Sequence, residues 1–250
     1  MRYWILTTEY PPFYGGGIST YCKFTAEMLS SKGHQVSVFV PDYTVSDISD
    51  EIINGVRIIR FLPQKTKANQ FLGYSAQLSY EFAEVVKRYL AQEGAPNVLE
   101  SQEYGGIAYY VQQFKWLGYP LFRELNIVIT CHAPGFICLE YNQVPIYQFP
   151  EYWTGQMEKA SMASADLLIA PSRYFVSEAK KRMPWGNIQE VYLANPMQLE
   201  DGFPEEAPDF IPQQIVCFGK LAPLKGTFEL LRYFEKLWNE GYTNQLSIEG

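Results

Sequence analysis

Hydrophobic positions along the chain switch between two rhythms from one end to the other. Short apolar runs of strand length alternate with segments whose apolar residues recur every three or four positions. Residues 2–7 (RYWILT) form the first run, and Ile18, Tyr21, Cys22, Thr25 and Leu29 then repeat at helical spacing. Gly33 stands where a helix C-terminal cap belongs, and Val36, Val38 and Val40 predict a second strand. Residues 56–62 (VRIIRFL) predict the third, followed by an amphipathic helix with Leu78, Phe82, Val85, Val86 and Tyr89 on one stripe. Residues 97–101, 126–131, 166–170 and 188–193 read as further strands, with a helix over 105–117 and another over 173–183. Ser172 is placed to cap the latter. Alternation of this kind predicts an α/β fold: a Rossmann-like parallel sheet with crossover helices on both faces.

The pattern breaks at residues 195–213. Four prolines and five acidic residues there read as a linker. Residues 214–218 open a fresh strand, 227–240 supply a helix, and 245–249 another strand. The expected division is therefore residues 1–212, one Rossmann-like domain with the linker at its end, and residues 213–250, the first βαβ unit of a second such domain. A lone βαβ unit cannot cover both faces of its strands, so the second domain reads as truncated.

Composition narrows the chemistry. A net charge of −7 argues against a nucleic-acid partner, because binding there requires clustered Lys and Arg against phosphates. The four cysteines are scattered without a CxxC pair and the chain has two histidines, so no cofactor or metal centre is expected. No apolar run reaches the length of an integral membrane segment, and the N-terminus lacks a leader pattern. The expected compartment is the cytoplasm. Aromatic residues make up 16% of the chain, which suits both an ordinary core and stacking on sugars.

Three loops carry candidate chemistry. The first strand and first helix are joined by residues 7–17, ending in Gly15, Gly16 and Gly17. Glycines before a helix N-terminus let the backbone approach an anion or a sugar closely. A dinucleotide loop would place its glycines directly after the strand; these come later and are preceded by two prolines, although Asp42 stands where a ribose is held in such enzymes. His132 follows the strand ending at Cys131, at the edge where open α/β sheets bind ligands, and can hydrogen-bond a hydroxyl or a developing charge. Glu103 and Tyr104 follow another strand at that edge and either help shape an acceptor pocket or belong to a polar surface loop. Residues 136–153 read as a long loop rich in aromatics, a binding lid or a packing surface. In the second domain, Gly219, Lys220 and Lys225 sit before a helix, where two ammonium groups can hold a departing diphosphate.

The phrases PPFYGGG, SKGHQVSVF, ADLLIAPSRYF and FGKLAPLKG, with His132 and the Asn195-Pro196 turn, occur in the order that resembles the retaining glycosyltransferases of family 4. The resemblance implies a GT-B architecture of two Rossmann-like domains facing a cleft. It implies a nucleotide-diphosphate-sugar donor, held mainly by the C-terminal domain, and a carbohydrate, lipid-linked or small-molecule acceptor. It also implies retention of anomeric configuration without an obligatory metal. Under it, Gly15, Gly16 and Gly17 match the loop near donor phosphates and acceptor, His132 the histidine on the transferred sugar, and Lys220 with Lys225 the basic pair on the diphosphate. Lys220 replaces the more usual arginine, keeping charge but losing the bidentate fork. The family's downstream acidic motif would lie beyond Gly250, so these 250 residues are expected to fold through the first domain without turnover. Other Rossmann-type enzymes, such as a nucleotide-sugar epimerase or an NAD-dependent oxidoreductase, and a non-catalytic sugar-binding module are the competing readings.

Overall fold

The computed structural model describes residues 1–12, 16–63, 73–197 and 214–249. They fall into two compact units: Met1–Ile137 with Ile146–Met197, and Cys138–Pro145 with the residues beyond Met197.

The first unit is built on an eight-stranded sheet in the order β3-β4-β2-β1-β5-β6-β7-β8. Its strands are β1 (Arg2–Leu6), β2 (Gln35–Pro41), β3 (Ile48–Ile53), β4 (Val56–Phe61), β5 (Val98–Gln102), β6 (Ile127–Thr130), β7 (Leu167–Ala170) and β8 (Glu190–Tyr192). All neighbours pair in parallel except β3, which runs antiparallel to β4. The helices are α1 (Gly17–Ser31), α2 (Tyr74–Glu93), α3 (Tyr109–Trp116), α4 (Gly135–Tyr141, whose residues from Cys138 on are counted with the second unit), α5 (Glu151–Ala163) and α6 (Arg173–Lys180).

Alternation along the strands sorts the core into two layers. Ile5, Val38, Val40 and Ile58 pack with Cys22 and Ala26 of α1 on one face. Trp4, Leu6, Phe39, Ile59 and Phe61 pack on the other with Leu78, Phe82 and Val86 of α2, and that cluster continues into α3, α5 and α6. Each fully buried Val, Leu, Ile or Phe among them contributes about 1.5–3 kcal/mol. The Ser172 cap is formed: its hydroxyl accepts a hydrogen bond from the Phe175 amide at 3.1 Å.

Three features differ from the sequence expectation. Strand β3 was not anticipated, although Asn54-Gly55 links it to β4; both residues adopt positive φ, the conformation a tight hairpin turn demands. The helix expected over 105–117 starts at Tyr109, after a 3-10 turn at Tyr104–Gly106. Residues 136–153 are not one long loop, since α4 and the start of α5 occupy both ends. Aromatic side chains there interrupted the polar pattern that marks a helix face.

The second unit contains β9 (Gln214–Phe218) and β10 (Gln245–Glu249), paired in parallel, and α7 (Thr227–Asn239) between them. The linker prolines Pro204, Pro208 and Pro212 lie outside the described residues.

Candidate active site

From β1 the chain proceeds outward to β2 and β4, and α2 then carries it across to β5 on the opposite side of β1. The carboxyl ends of β1 and β5 therefore flank the point where strand order reverses, which is where open α/β sheets hold ligands. Thr7 and Glu9 follow β1, Gln102 and Glu103 end or follow β5, and His132 follows β6.

The His132 ring is held on two sides. Its Nε2 is hydrogen-bonded to the Gln102 side-chain oxygen, and the Gln102 amide group in turn donates to Cys22 Sγ at 3.3 Å. A carbonyl oxygen can only accept, so the ring proton sits on Nε2 and Nδ1 is left as an acceptor. Nδ1 has no partner among the described residues. The Tyr21 ring packs edge-on against the imidazole, centroids 4.8 Å apart. Burial pushes the His132 pKa down to about 4, so the imidazole is neutral at pH 7.

Beneath His132 lie carboxyl groups buried in the sheet. Glu103 Oε1 accepts from the His132 amide at 2.7 Å, and the Ala133 amide also bonds this carboxyl. Glu103 is 0% exposed, so the carboxyl expected at an acceptor pocket or on a polar surface loop instead lies below the loop. Burial, with the nearby Glu158, raises its pKa to about 8. Tyr104 next to it is 46% exposed. Glu100 is also buried and accepts from Tyr3, Tyr21 and Thr130 hydroxyls at 2.5, 3.0 and 2.7 Å. A cavity of about 290 Å³ runs past Tyr21, Glu100 and Thr130 to Asn195 and Pro196.

Of the glycine triplet, Gly15 lies outside the described residues, whereas Gly16 and Gly17 form the start of α1. The N-cap residue of that helix is Gly16, which has no side chain to cap it. The Glu9 carboxylate rests against Gly16, where an added Cβ would stand 2.5 Å from Glu9 Oε2, while around Gly17 a Cβ would meet nothing within 4 Å. Asp42, the residue a dinucleotide enzyme would use on ribose, is already engaged. It is buried, accepts from the Thr44 amide and hydroxyl at 2.7 Å each, and faces Arg60 at 3.8 Å.

In the second unit the turn before α7 is held by β10 and by the first residue of α7. The Gly219 amide donates to the Glu249 carbonyl at 2.8 Å, and the Thr227 hydroxyl donates to the Ala222 carbonyl at 3.2 Å. Lys220 and Lys225 are exposed, and neither forms an ion pair among the described residues. Among those residues no group of three or more His, Cys, Asp or Glu side chains is placed to hold a metal ion, and no helix is long and apolar enough to cross a membrane.

The sequence profile of Glycosyltransferase Family 4 matches residues 15–193. The chain belongs to glycosyltransferase family 4. An uncharacterized glycosyltransferase of Methanocaldococcus jannaschii is 40% identical over 63 residues, 25% of this chain and 16% of that protein. Sucrose-phosphate synthase from Thermosynechococcus elongatus superimposes with a TM-score of 0.57 at 19% identity, covering 77% of this chain and 47% of its own. The catalytic domain of starch synthase IV from Arabidopsis thaliana, bound to ADP and acarbose, gives 0.57 at 12% identity over 99% of this chain and 68% of that one. The E. coli trehalose-6-phosphate protein bound with UDP-2-fluoro glucose gives 0.62 at 11% identity over 100% and 64%. At these identities the likeness establishes the fold, which is of the GT-B type. The chain spans less than half of the cyanobacterial synthase, and its matched segment a sixth of the archaeal relative.

The family match takes in the glycine loop, Glu103, Tyr104 and His132, whereas Lys220 and Lys225 lie beyond it. Gln102 and Tyr21 against His132, Glu9 beside Gly16 and Glu158 under the loops after β5 and β6 were not singled out from the sequence as site residues. For Gln102 a signal existed. Residues Glu100-Ser101-Gln102 close a strand with apolar neighbours on both sides, and a central parallel strand is otherwise apolar.

Proposed function

We propose that this family-4 chain carries the acceptor side, and the opening of the donor side, of a retaining glycosyltransferase that moves a sugar from a nucleotide diphosphate to an acceptor hydroxyl. The observation that carries this reading is His132: a neutral imidazole at the carboxyl edge of β6, its Nε2–H anchored by Gln102 and its Nδ1 an open acceptor. A hydrogen bond from a sugar hydroxyl to Nδ1 orients the transferred ring without adding positive charge. The start of α1 at Gly16 and Gly17, with a glycine at the N-cap, offers backbone amides to phosphate or sugar oxygens. Lys220 and Lys225 supply the cationic counterpart for the diphosphate that leaves. In this reading residues 213–250 belong to the nucleotide-sugar side of the enzyme.

The neighbours solved with ADP or with UDP-2-fluoro glucose define the donor panel to use. The gene's complete product is incubated with ADP- and UDP-sugars, and release of nucleoside diphosphate is followed with and without glycan, lipid-linked and small-molecule acceptors. Diphosphate release from one donor class supports the proposal. Binding of NAD(H), with no release from any nucleotide sugar, contradicts it.

A further inference from the structure

Glu158 is a buried carboxylate of the first unit. It lies in α5, is 0% exposed, and does not touch His132. Its Oε1 accepts from the Gly105 amide at 2.9 Å and from the Gly135 amide at 2.8 Å, and its Oε2 accepts from the Phe136 amide at 3.0 Å. Gly105 belongs to the turn after β5, whereas Gly135 and Phe136 end the loop after β6 and begin α4. One side chain therefore ties together the two loops that carry Glu103 and His132.

Glu103 closes the same unit from the other side. Its amide donates to the Thr130 carbonyl at 3.2 Å, its carbonyl accepts from the Gly106 amide at 3.0 Å, and its carboxyl holds the His132 amide at 2.7 Å. The loop from His132 to Phe136 is thus suspended by its amides from two carboxyl groups, Glu103 at its start and Glu158 at its end. Residue sizes are fitted to this arrangement. A Cβ on Gly135 would stand 2.9 Å from Glu158 Oε1, and one on Gly106 would stand 2.6 Å from the Met157 Cβ and 2.8 Å from its carbonyl carbon.

We infer that Glu158 is a positioning residue of the transferase site, setting the place of the His132 imidazole by holding the loops after β5 and β6 at a fixed separation. The role rests on the functional reading of His132 given above, and the spacing itself is a property of this fold that can be measured apart from it. Three amide donors converge on one carboxylate, and charge-assisted bonds of this type are short and directional. A neutral amide in the same place would turn an NH₂ group toward at least one backbone donor, so at least one of the three bonds is lost and replaced by a donor–donor contact. The charged or titratable groups around it are Glu103, whose carboxyl the charge of Glu158 pushes up, and Lys159, whose ammonium favours the charged form of Glu158.

The test is Glu158→Gln, with Glu158→Asp as the second variant because it keeps the charge and shortens the reach. Both are made in the 250-residue chain for NMR and in the gene's complete product for kinetics. In the chain, the Gly105, Gly135 and Phe136 amide resonances are expected to move. The His132 imidazole and Glu103 carboxyl titrations are expected to shift with them, the latter downward once the neighbouring charge is gone. In the complete product, kcat is expected to fall by ten- to a hundredfold, with the donor KM changed less than threefold. If Glu158→Gln does not fold, the loop-amide and His132 shifts are read in Glu158→Asp, where the charge is kept and a change in the Glu103 titration reports altered geometry alone. Displaced loop amides with wild-type titrations of His132 and Glu103 would overturn the inference and leave Glu158 a helix cap. Absence of sugar transfer by the wild-type product would instead overturn the functional reading, while the NMR comparison would still decide the positioning role.

Discussion

The Glu103 carboxyl lies directly under His132, accepting its backbone amide at 2.7 Å, so the one histidine at the sheet edge is positioned through its main chain by an acid that solvent does not reach. Ring and backbone of His132 are fixed by different partners: Gln102 and Tyr21 hold the imidazole, and Glu103 the peptide group. This separation allows the ring to be removed without dismantling the loop.

Opposed pH responses follow for these two groups. His132 has a folded-state pKa lowered to about 4 from its ordinary 6.5. Between those values the unfolded chain binds a proton that the folded chain does not, so the His132 contribution is lost as pH falls through that window. Glu103 is raised to about 8 from 4.5. There the folded chain keeps a proton that the unfolded chain has released, so stability declines as pH rises from about 4.5 to 8. Urea unfolding of wild type against His132→Ala is expected to show a difference that grows from pH 4 to 6.5. The difference between wild type and Glu103→Gln is expected to shrink from pH 4.5 to 8. Parallel curves would show that neither group is buried as described.

Glycine substitutions separate fit from function. Gly106 has φ of +62°, and its missing Cβ leaves room for the backbone of α5. Gly106→Ala combines left-handed strain with overpacking and is expected to cost on the order of 3 kcal/mol in urea unfolding. Gly17→Ala adds a methyl to open space at the start of α1 and is expected to stay within about 1 kcal/mol of wild type. If the glycine loop meets donor or acceptor, that same silent change weakens binding in a titration with nucleotide sugar. Unchanged affinity would remove Gly17 from the site.

The lysine turn makes a salt-dependent prediction. Lys220→Gln and Lys225→Gln, made singly in the gene's complete product, are each expected to weaken nucleotide-sugar binding by roughly tenfold by calorimetry, and the loss is expected to narrow at high salt. Equal affinity at low salt for wild type and both variants would take the diphosphate away from this turn.

Much of the scaffold was legible because burial on both faces leaves a direct trace: runs such as residues 126–131 and 166–170 can hardly be anything other than central strands. His132 was legible for a similar reason, as a polar residue directly after such a run. Strand β3 was missed because an edge strand with one covered side carries a weak pattern, and the Asn54-Gly55 turn that marks it was passed over. Glu103 was read as part of an acceptor pocket or of a polar surface loop, and its burial beneath the loop was not foreseen because a glutamate is seldom buried. Its placement depends on amides of residues 132 and 133, about thirty positions away, and no local rhythm encodes that. Glu158 was hidden for the same reason, since its three donors come from two distant loops.

The central claim is that His132 meets the transferred sugar. Its most direct test is sugar-transfer turnover by the gene's complete product, wild type against His132→Ala, with thermal unfolding measured in parallel. The account predicts a fall of about a hundredfold or more while the melting temperature stays within a few degrees. Wild-type turnover in the variant would contradict it.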